Sequence, residues 1–350
     1  MIFKLFKRRE NQVKTEKILV IAPSFLGGGL LSVIFFRNLR YKYPDATIEV
    51  LSKEACSDII SMFPYVDKVH KTLNNKISDN RKFIKEQGYT KAYLMKRSFS
   101  AGQLIFNCGI KKVIGFNTQA RRLFLTTPVK YKAEEKHEYE HFLDLLRVEN
   151  IEIKDNHLEI FEDETAKANI IQKLAGDNSK KALIVASSAQ KYKMINEEVF
   201  ADVTKNLIAK GYSIYFIGLK NEKDVYENIK SYLSDDQKAR TNNLCGELSL
   251  MECVSLVGQM DLVVGIDTGF CHIASAFNRP TLAIYGMTSL KQWHLLGENS
   301  KSFSLNLPCS PCKKPKKCKH RNCLKQITSD QIINEIETLL IKMDEIYVKS

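Results

Sequence analysis

Short apolar runs alternate with segments of helical periodicity along this chain, and the whole alternation occurs twice, which restricts the fold more than any other feature. After Lys17, the residues Ile18, Leu19, Val20, Ile21 and Ala22 are apolar at every position, as in a strand buried on both faces of a parallel sheet. Pro23 ends the run, and Gly27, Gly28 and Gly29 predict a tight turn there. Leu30, Leu31, Ile34, Phe35 and Leu39 then recur at helical spacing, and 47–51 is strand-like again, so the chain opens on a βαβ unit. Further strands are expected at 92–95 and 112–116, with a helix at 100–107 between them.

The pattern restarts after a polar region at 154–181. Strands are expected at 182–186, 212–217, 262–266 and 281–284, and helices at 197–209 and 222–233. Two such series imply an α/β protein with two Rossmann-like doubly wound parallel sheets and a ligand cleft between them. The expected units are a basic tail at 1–16, a first domain at 17–165 and a second at 166–328. A closing helix at 329–350 has Ile332, Ile333, Ile336, Leu339, Leu340, Met343 and Ile346 on one face and is expected to pack back on the body.

Composition narrows the function class. A hydrophobic fraction of 44% with 27% charged residues is that of a folded globular protein, not a disordered one. No apolar run reaches the roughly 20 residues that span a bilayer, and the broken apolar start is too short for a secretion signal, so a cytoplasmic protein is expected. A formal net charge of +13 favours anionic partners. The amphipathic basic stretch at 3–9 would suit a peripheral contact with an anionic membrane face.

The most informative segment runs from Gly265 to Thr288, where a strand gives way to a helix. Thr268 and Gly269 at the helix start would let backbone N–H groups point at a diphosphate, which the helix dipole also favours. Asp267, ending the strand, is placed to accept from sugar hydroxyls, and His272, one turn into the helix, to donate to a phosphate oxygen. An ordinary capped helix with a core histidine is the alternative that spacing alone leaves open.

The Asp267-Thr-Gly-Phe-Cys-His-Ile-Ala-Ser-Ala276 string resembles the Asp-Ser/Thr-Gly-x-x-His-Leu-Ala-Ala-Ala signature of the heptosyltransferase family, glycosyltransferase family 9. Pro280 and the Tyr285-Gly-Met-Thr288 turn extend the match, as do Ser98-Phe-Ser-Ala101, Ile114-Gly-Phe116, Arg121-Arg-Leu123 and His137. The resemblance covers about residues 17 to 335. It implies a GT-B architecture, an acceptor-side first domain and a second domain binding a nucleoside diphosphate sugar. The implied reaction is inverting transfer of a heptose, from a donor such as ADP-heptose to a lipopolysaccharide core acceptor, without a catalytic metal. Position by position it implies donor contacts from Ser187, Ser188, Lys193, Glu222, Leu248, Asp267, Thr268, Gly269, Phe270, Cys271 and His272, with Lys193 and His272 stabilising the leaving diphosphate.

On the acceptor side the resemblance points to Ser24, Gly27 and Gly28, and the basic residues Lys53, Arg97, Arg121 and Arg122 are candidates for anionic groups of the acceptor. The family's first-loop Asp, its expected general base, aligns with Gly28, which has no side chain to take a proton. A base from elsewhere in the cleft, an altered acceptor chemistry and a nucleotide-sugar-binding relative without activity all remain open.

Four of the nine cysteines, Cys309, Cys312, Cys318 and Cys323, crowd one lysine-rich segment. Four thiolates at that spacing can close a structural zinc or iron site with His320 as a spare ligand, and reduced thiols lining a loop are the equal alternative. The cluster also admits a rival class, a basic zinc-knuckle-like nucleic-acid-binding protein. Against that class, the basic residues are spread over the whole chain, and no nucleic acid is the expectation.

Overall fold

The computed structural model describes residues 15–73, 76–312 and 317–349. The basic start at 3–9 and the side chain of Ile346 lie outside the described residues. Among those residues the first domain holds β1 (Lys17–Ile21), β2 (Thr47–Ser52), β3 (Lys68–Lys71), β4 (Lys91–Leu94), β5 (Lys112–Phe116) and β6 (Thr127–Val129). The second holds β7 (Lys180–Val185), β8 (Tyr212–Phe216), β9 (Thr241–Asn243), β10 (Leu262–Ile266), β11 (Thr281–Ile284) and β12 (Ser300–Phe303).

The sheet orders are β3-β2-β1-β4-β5-β6 and β12-β11-β10-β7-β8-β9, with every pair parallel. Both sheets have one topology, in which the first strand of the unit lies beside the fourth. The chain therefore reverses its direction of winding between β1 and β4 and between β7 and β10, and the carboxyl ends of those strands frame a crevice where ligands bind. The twice-repeated doubly wound architecture is the one expected from the alternation of apolar runs.

Four strands escaped the sequence reading, and each lies at a sheet edge: β3, β6, β9 and β12. The central strands β4 and β10 are buried at every residue, whereas β9 and β12 hold no fully buried residue. An edge strand is covered on fewer sides, so its sequence carries no continuous apolar run.

The region at 154–181, read as polar, contains the helix Glu164–Leu174, capped by the Asp163 carboxylate accepting from Ala166 N–H. Ala166 and Ile170 are its fully buried residues, which explains why its amphipathicity was faint. It packs on the helix Leu250–Gly258 of the second domain, so the boundary expected at 165/166 falls inside its first turn.

The linker before this helix is fastened to the first domain. Arg37, 1% exposed, donates to the His157 carbonyl and pairs with Glu159, and Asn38 donates to the Asp155 carbonyl at 2.6 Å. One apolar core continues from Phe142, Leu143 and Leu146 of the first domain to Val254 and Val257 of the second. The last helix, Ser329–Lys349, buries Ile332, Ile336 and Leu339 in the second domain's other core. No helix among the described residues is long and apolar enough to cross a membrane.

Candidate active site

A cavity of about 540 Å³ opens where the carboxyl end of β1 faces those of β7 and β10. That volume lies within the usual range for a small-molecule site. The first domain supplies Phe25, Leu26, Gly27, Gly28 and Glu134 to its wall, and the second supplies the rest.

The glycine run is helical, not the tight turn expected from it. Gly27, Gly28 and Gly29 lie in the helix Leu26–Leu31 and are all buried. Their use is close approach. A Cβ on Gly27 would sit 3.1 Å from His272 Cδ2, one on Gly29 3.1 Å from Cys56 Cβ, and one on Gly269 2.8 Å from Leu26 Cβ. Two helix starts from different domains thus meet backbone to backbone at the mouth of the cavity, which side chains would prevent.

On the second domain's wall, Asp267 follows β10 and is 8% exposed, and its Oδ2 accepts from Lys193 Nζ at 2.6 Å. Lys193 reaches this position from the 3₁₀ turn Lys191–Lys193 after β7. Thr268 is extended, and no side chain caps the helix Gly269–Ala276 that it precedes. Uncapped helix N-termini carry partial positive charge and spare N–H donors. The ammonium and such a terminus on one cavity wall suit an anionic ligand such as a diphosphate, and the Asp267 carboxylate holds the ammonium in place.

His272 also lines the cavity although it is only 2% exposed. Burial, only partly opposed by the Asp267 charge, pulls its pKa down to about 4, so the imidazole is neutral near pH 7. Its Nδ1 is buried with no hydrogen-bond partner. A polar atom in that condition calls for a ligand or a water.

Ser187, Ser188, Glu222 and Phe270 also line the cavity. Two of them already have structural commitments: the Ser187 hydroxyl lies 3.0 Å from that of Tyr226, and Glu222 Oε2 accepts from Leu219 N–H at 2.7 Å. Cys271 and Leu248 do not line it. The Cys271 thiol turns back to the Ile266 carbonyl at 3.3 Å, where burial pushes its pKa up to about 12, and Leu248 packs against the shared core.

The acceptor-side residues separate in the same way. Gly27 and Gly28 line the cavity, whereas Ser24, Lys53, Arg97, Arg121 and Arg122 do not. Arg121 is fully buried, its Nη1 donating to the Lys96 and Ser98 carbonyls, and burial together with the nearby Arg97 lowers its pKa to about 10. Its Nη1 ties together the loops of Lys96 and Ser98, while its Nε and Nη2 are buried without a hydrogen-bond partner. Arg97 pairs with Glu138 and stacks over the Tyr131 ring at 4.3 Å. Lys53 and Arg122 are exposed on the surface.

Cys312, half-buried, lines the cavity beside Pro311, and its N–H donates to the Met287 carbonyl at 2.8 Å. Cys309 is exposed, Cys318 half-buried and Cys323 buried. Among the described residues no three His, Cys, Asp or Glu side chains are grouped to hold a metal ion. Burial raises the Cys323 thiol pKa and the nearby Cys309, Cys318 and Cys312 add to the rise, so the four thiols share one neighbourhood.

Sequence reasoning missed Glu134, Gln292 and Trp293. Gln292 is 6% exposed and bridges the domains, its Nε2 donating to the Tyr131 hydroxyl at 2.8 Å and to Glu138 Oε2 at 2.6 Å. Trp293 sets its ring edge-on to His272, with centroids 6.3 Å apart. Its being the chain's single tryptophan was the one available signal.

The chain's likenesses agree with this two-domain fold. Residues 78–322 match the family model of glycosyltransferase family 9 (heptosyltransferase). Lipopolysaccharide heptosyltransferase 2 of Escherichia coli is 25% identical over an alignment covering 93% of this chain and 99% of that protein. The solved structure of the E. coli ADP-heptose LPS heptosyltransferase II superposes with a TM-score of 0.80 at 23% identity, over 94% of this chain and 99% of that one. A glycosyltransferase family 9 structure from Veillonella parvula gives a TM-score of 0.82 at 17% identity, over 93% and 98%. With a family match across most of its length and the same two-domain architecture, this chain belongs to glycosyltransferase family 9, the heptosyltransferases.

Proposed function

We propose that this chain transfers a heptose from ADP-heptose to a lipopolysaccharide core acceptor, with inversion at the anomeric carbon and with protein groups rather than a metal stabilising the leaving diphosphate. The observation that carries the proposal is the wall formed by Lys193, Asp267 and the uncapped start of the helix Gly269–Ala276. The donor identity is supported by the E. coli relative, which is described as an ADP-heptose LPS heptosyltransferase.

As the bond from the anomeric carbon to the diphosphate breaks, negative charge grows on the phosphate oxygens. Helix N–H groups and the Lys193 ammonium, fixed before reaction, meet that charge without reorganising. Asp267 holds Lys193 in place in the free enzyme and keeps its other oxygen for sugar hydroxyls. Neutral His272 offers a hydrogen bond rather than a second full charge. Attack from the face opposite the diphosphate places the acceptor on the first domain's side, which gives inversion. The net charge of +13 suits an anionic acceptor and a peripheral place at the inner face of the membrane.

Calorimetry with ADP and with ADP-heptose, on the wild type and on Asp267→Ala, tests the donor assignment. The wild type should bind both, and the variant should lose most of its affinity for the sugar nucleotide. Absence of affinity for every nucleoside diphosphate tried would defeat the proposal.

A further inference from the structure

Transfer to a hydroxyl needs a base facing the donor across the cleft, and the lining residues narrow the choice. Three carboxylates line the cavity: Asp267, Glu222 and Glu134. Asp267 is paired with Lys193 and Glu222 accepts the Leu219 N–H, and both belong to the donor's own wall. His272, held at a pKa of about 4 and buried, is a weak base. Gly28 has no side chain. Glu134 stands on the first domain, half-buried, with its carboxylate bound to no described residue.

The segment that carries Glu134 is anchored across the cleft at both ends. Before it, the Tyr131 hydroxyl accepts from Gln292 at 2.8 Å. After it, Glu138 accepts from the same amide at 2.6 Å, and His137 Nε2 lies 3.0 Å from the His294 carbonyl. His137 Nδ1 accepts the Tyr139 N–H, so the ring is in its Nε2–H form, and burial keeps it neutral with a pKa of about 3. Glu134 itself has φ 64°, a left-handed conformation that side chains other than glycine adopt rarely and that recurs at functional sites.

We propose that Glu134 is the general base of the transfer, an assignment that rests on the donor site proposed above. Its carboxylate takes the proton of the acceptor hydroxyl as that oxygen bonds to the anomeric carbon. The bond from the anomeric carbon to the phosphate oxygen breaks, and its electron pair leaves with the nucleoside diphosphate. The products are the glycoside, the free nucleoside diphosphate and a protonated Glu134 that returns its proton to solvent.

The test compares wild type with Glu134→Gln, Glu134→Ala and the control Glu135→Gln, a neighbour that pairs with Lys132 and does not line the cavity. ADP affinity is read by calorimetry, and turnover as ADP release from ADP-heptose, with heptose-deficient lipopolysaccharide as acceptor and with water alone. Glu134→Gln should lower kcat by about a hundredfold or more with ADP affinity unchanged, the usual scale for losing a general base. It should also abolish the acid limb of the kcat/KM profile. Formate should restore part of the activity of Glu134→Ala, and Glu135→Gln should match wild type.

Glu134→Gln turnover within threefold of wild type, or with an unaltered pH profile, overturns the assignment while leaving the donor site intact. So does a wild type that binds ADP but shows no turnover in either assay. A wild type that does not bind ADP at all defeats the donor site first, and the base with it.

Discussion

Replacing Lys193 by methionine separates its expected role in binding from its role in holding the fold. Lys193 Nζ lies 2.6 Å from Asp267 Oδ2, with side-chain exposures of 20% and 9%. At an effective dielectric near 20, charges at that distance attract by about 6 kcal/mol, most of which is offset by their desolvation. Removing the lysine leaves Asp267 nearly buried and unpaired. Losing one partner of a fully buried pair costs about 3–5 kcal/mol, so for this partly exposed lysine a loss of about 2–3 kcal/mol is expected.

For a domain of this size that corresponds to a fall in melting temperature of roughly 4–12 °C. The same substitution removes the cation nearest the expected diphosphate, and losing one preorganised group of that kind typically costs about 10²- to 10³-fold in kcat. Thermal unfolding with and without ADP, beside a turnover assay, reads both effects. Adding Asp267→Asn to Lys193→Met should restore most of the melting temperature, because no uncompensated carboxylate is left, but should not restore the stabilisation by ADP. Full ADP binding and turnover in Lys193→Met, with only the melting temperature lowered, would refute the reasoning by reducing the lysine to a structural partner of Asp267.

Acid should weaken the fold through its buried histidines. Burial lowers His272 from an ordinary 6.5 to about 4 and His137 to about 3, so the unfolded chain binds more protons below pH 6.5 and stability falls as the pH drops. The loss is at most roughly 1.4 kcal/mol per pH unit for each histidine, ending near pH 4 for His272 and near pH 3 for His137. Urea unfolding between pH 7 and pH 5 should show this slope, and His137→Gln should make it shallower; an unchanged slope would exclude His137 as a source. Gly269→Ala sets a Cβ 2.8 Å from Leu26 and should cost about 1–3 kcal/mol and weaken ADP binding, with Leu26→Ala restoring part of both in calorimetry and thermal unfolding. Gln292→Leu removes the donor to Tyr131 and Glu138 and should lower stability by about 1–3 kcal/mol, read by thermal unfolding, with small-angle scattering showing a looser arrangement of the domains.

Much of the frame was legible in the chain because local pattern and tertiary burial coincide there. Central parallel strands are covered on both faces, so 18–22, 182–186 and 262–266 appear as unbroken apolar runs, and the helix Glu197–Ala209 was expected with the bounds it has. The strand-to-helix junction at Asp267 was legible for a related reason, since a tight strand end followed by Thr268 and Gly269 leaves few other local structures. Edge strands, faintly amphipathic helices and the helical glycine run were not legible, because their sequences lack the burial or the turn that would mark them.

The sequence by itself determined two doubly wound sheets and the strand-to-helix junction at Asp267. Tertiary structure decided which residues share the cavity. Arg121 and Cys271 look like site residues in a motif, yet one is buried among carbonyls and the other faces the strand behind it. Glu134 and Gln292 have no motif at all, and their placement depends on contacts such as the one joining Glu138 to Gln292, 154 residues apart. Periodicity records which face of an element is covered; it carries no record of how one domain is set against another, and that setting chooses the groups that meet across the cleft.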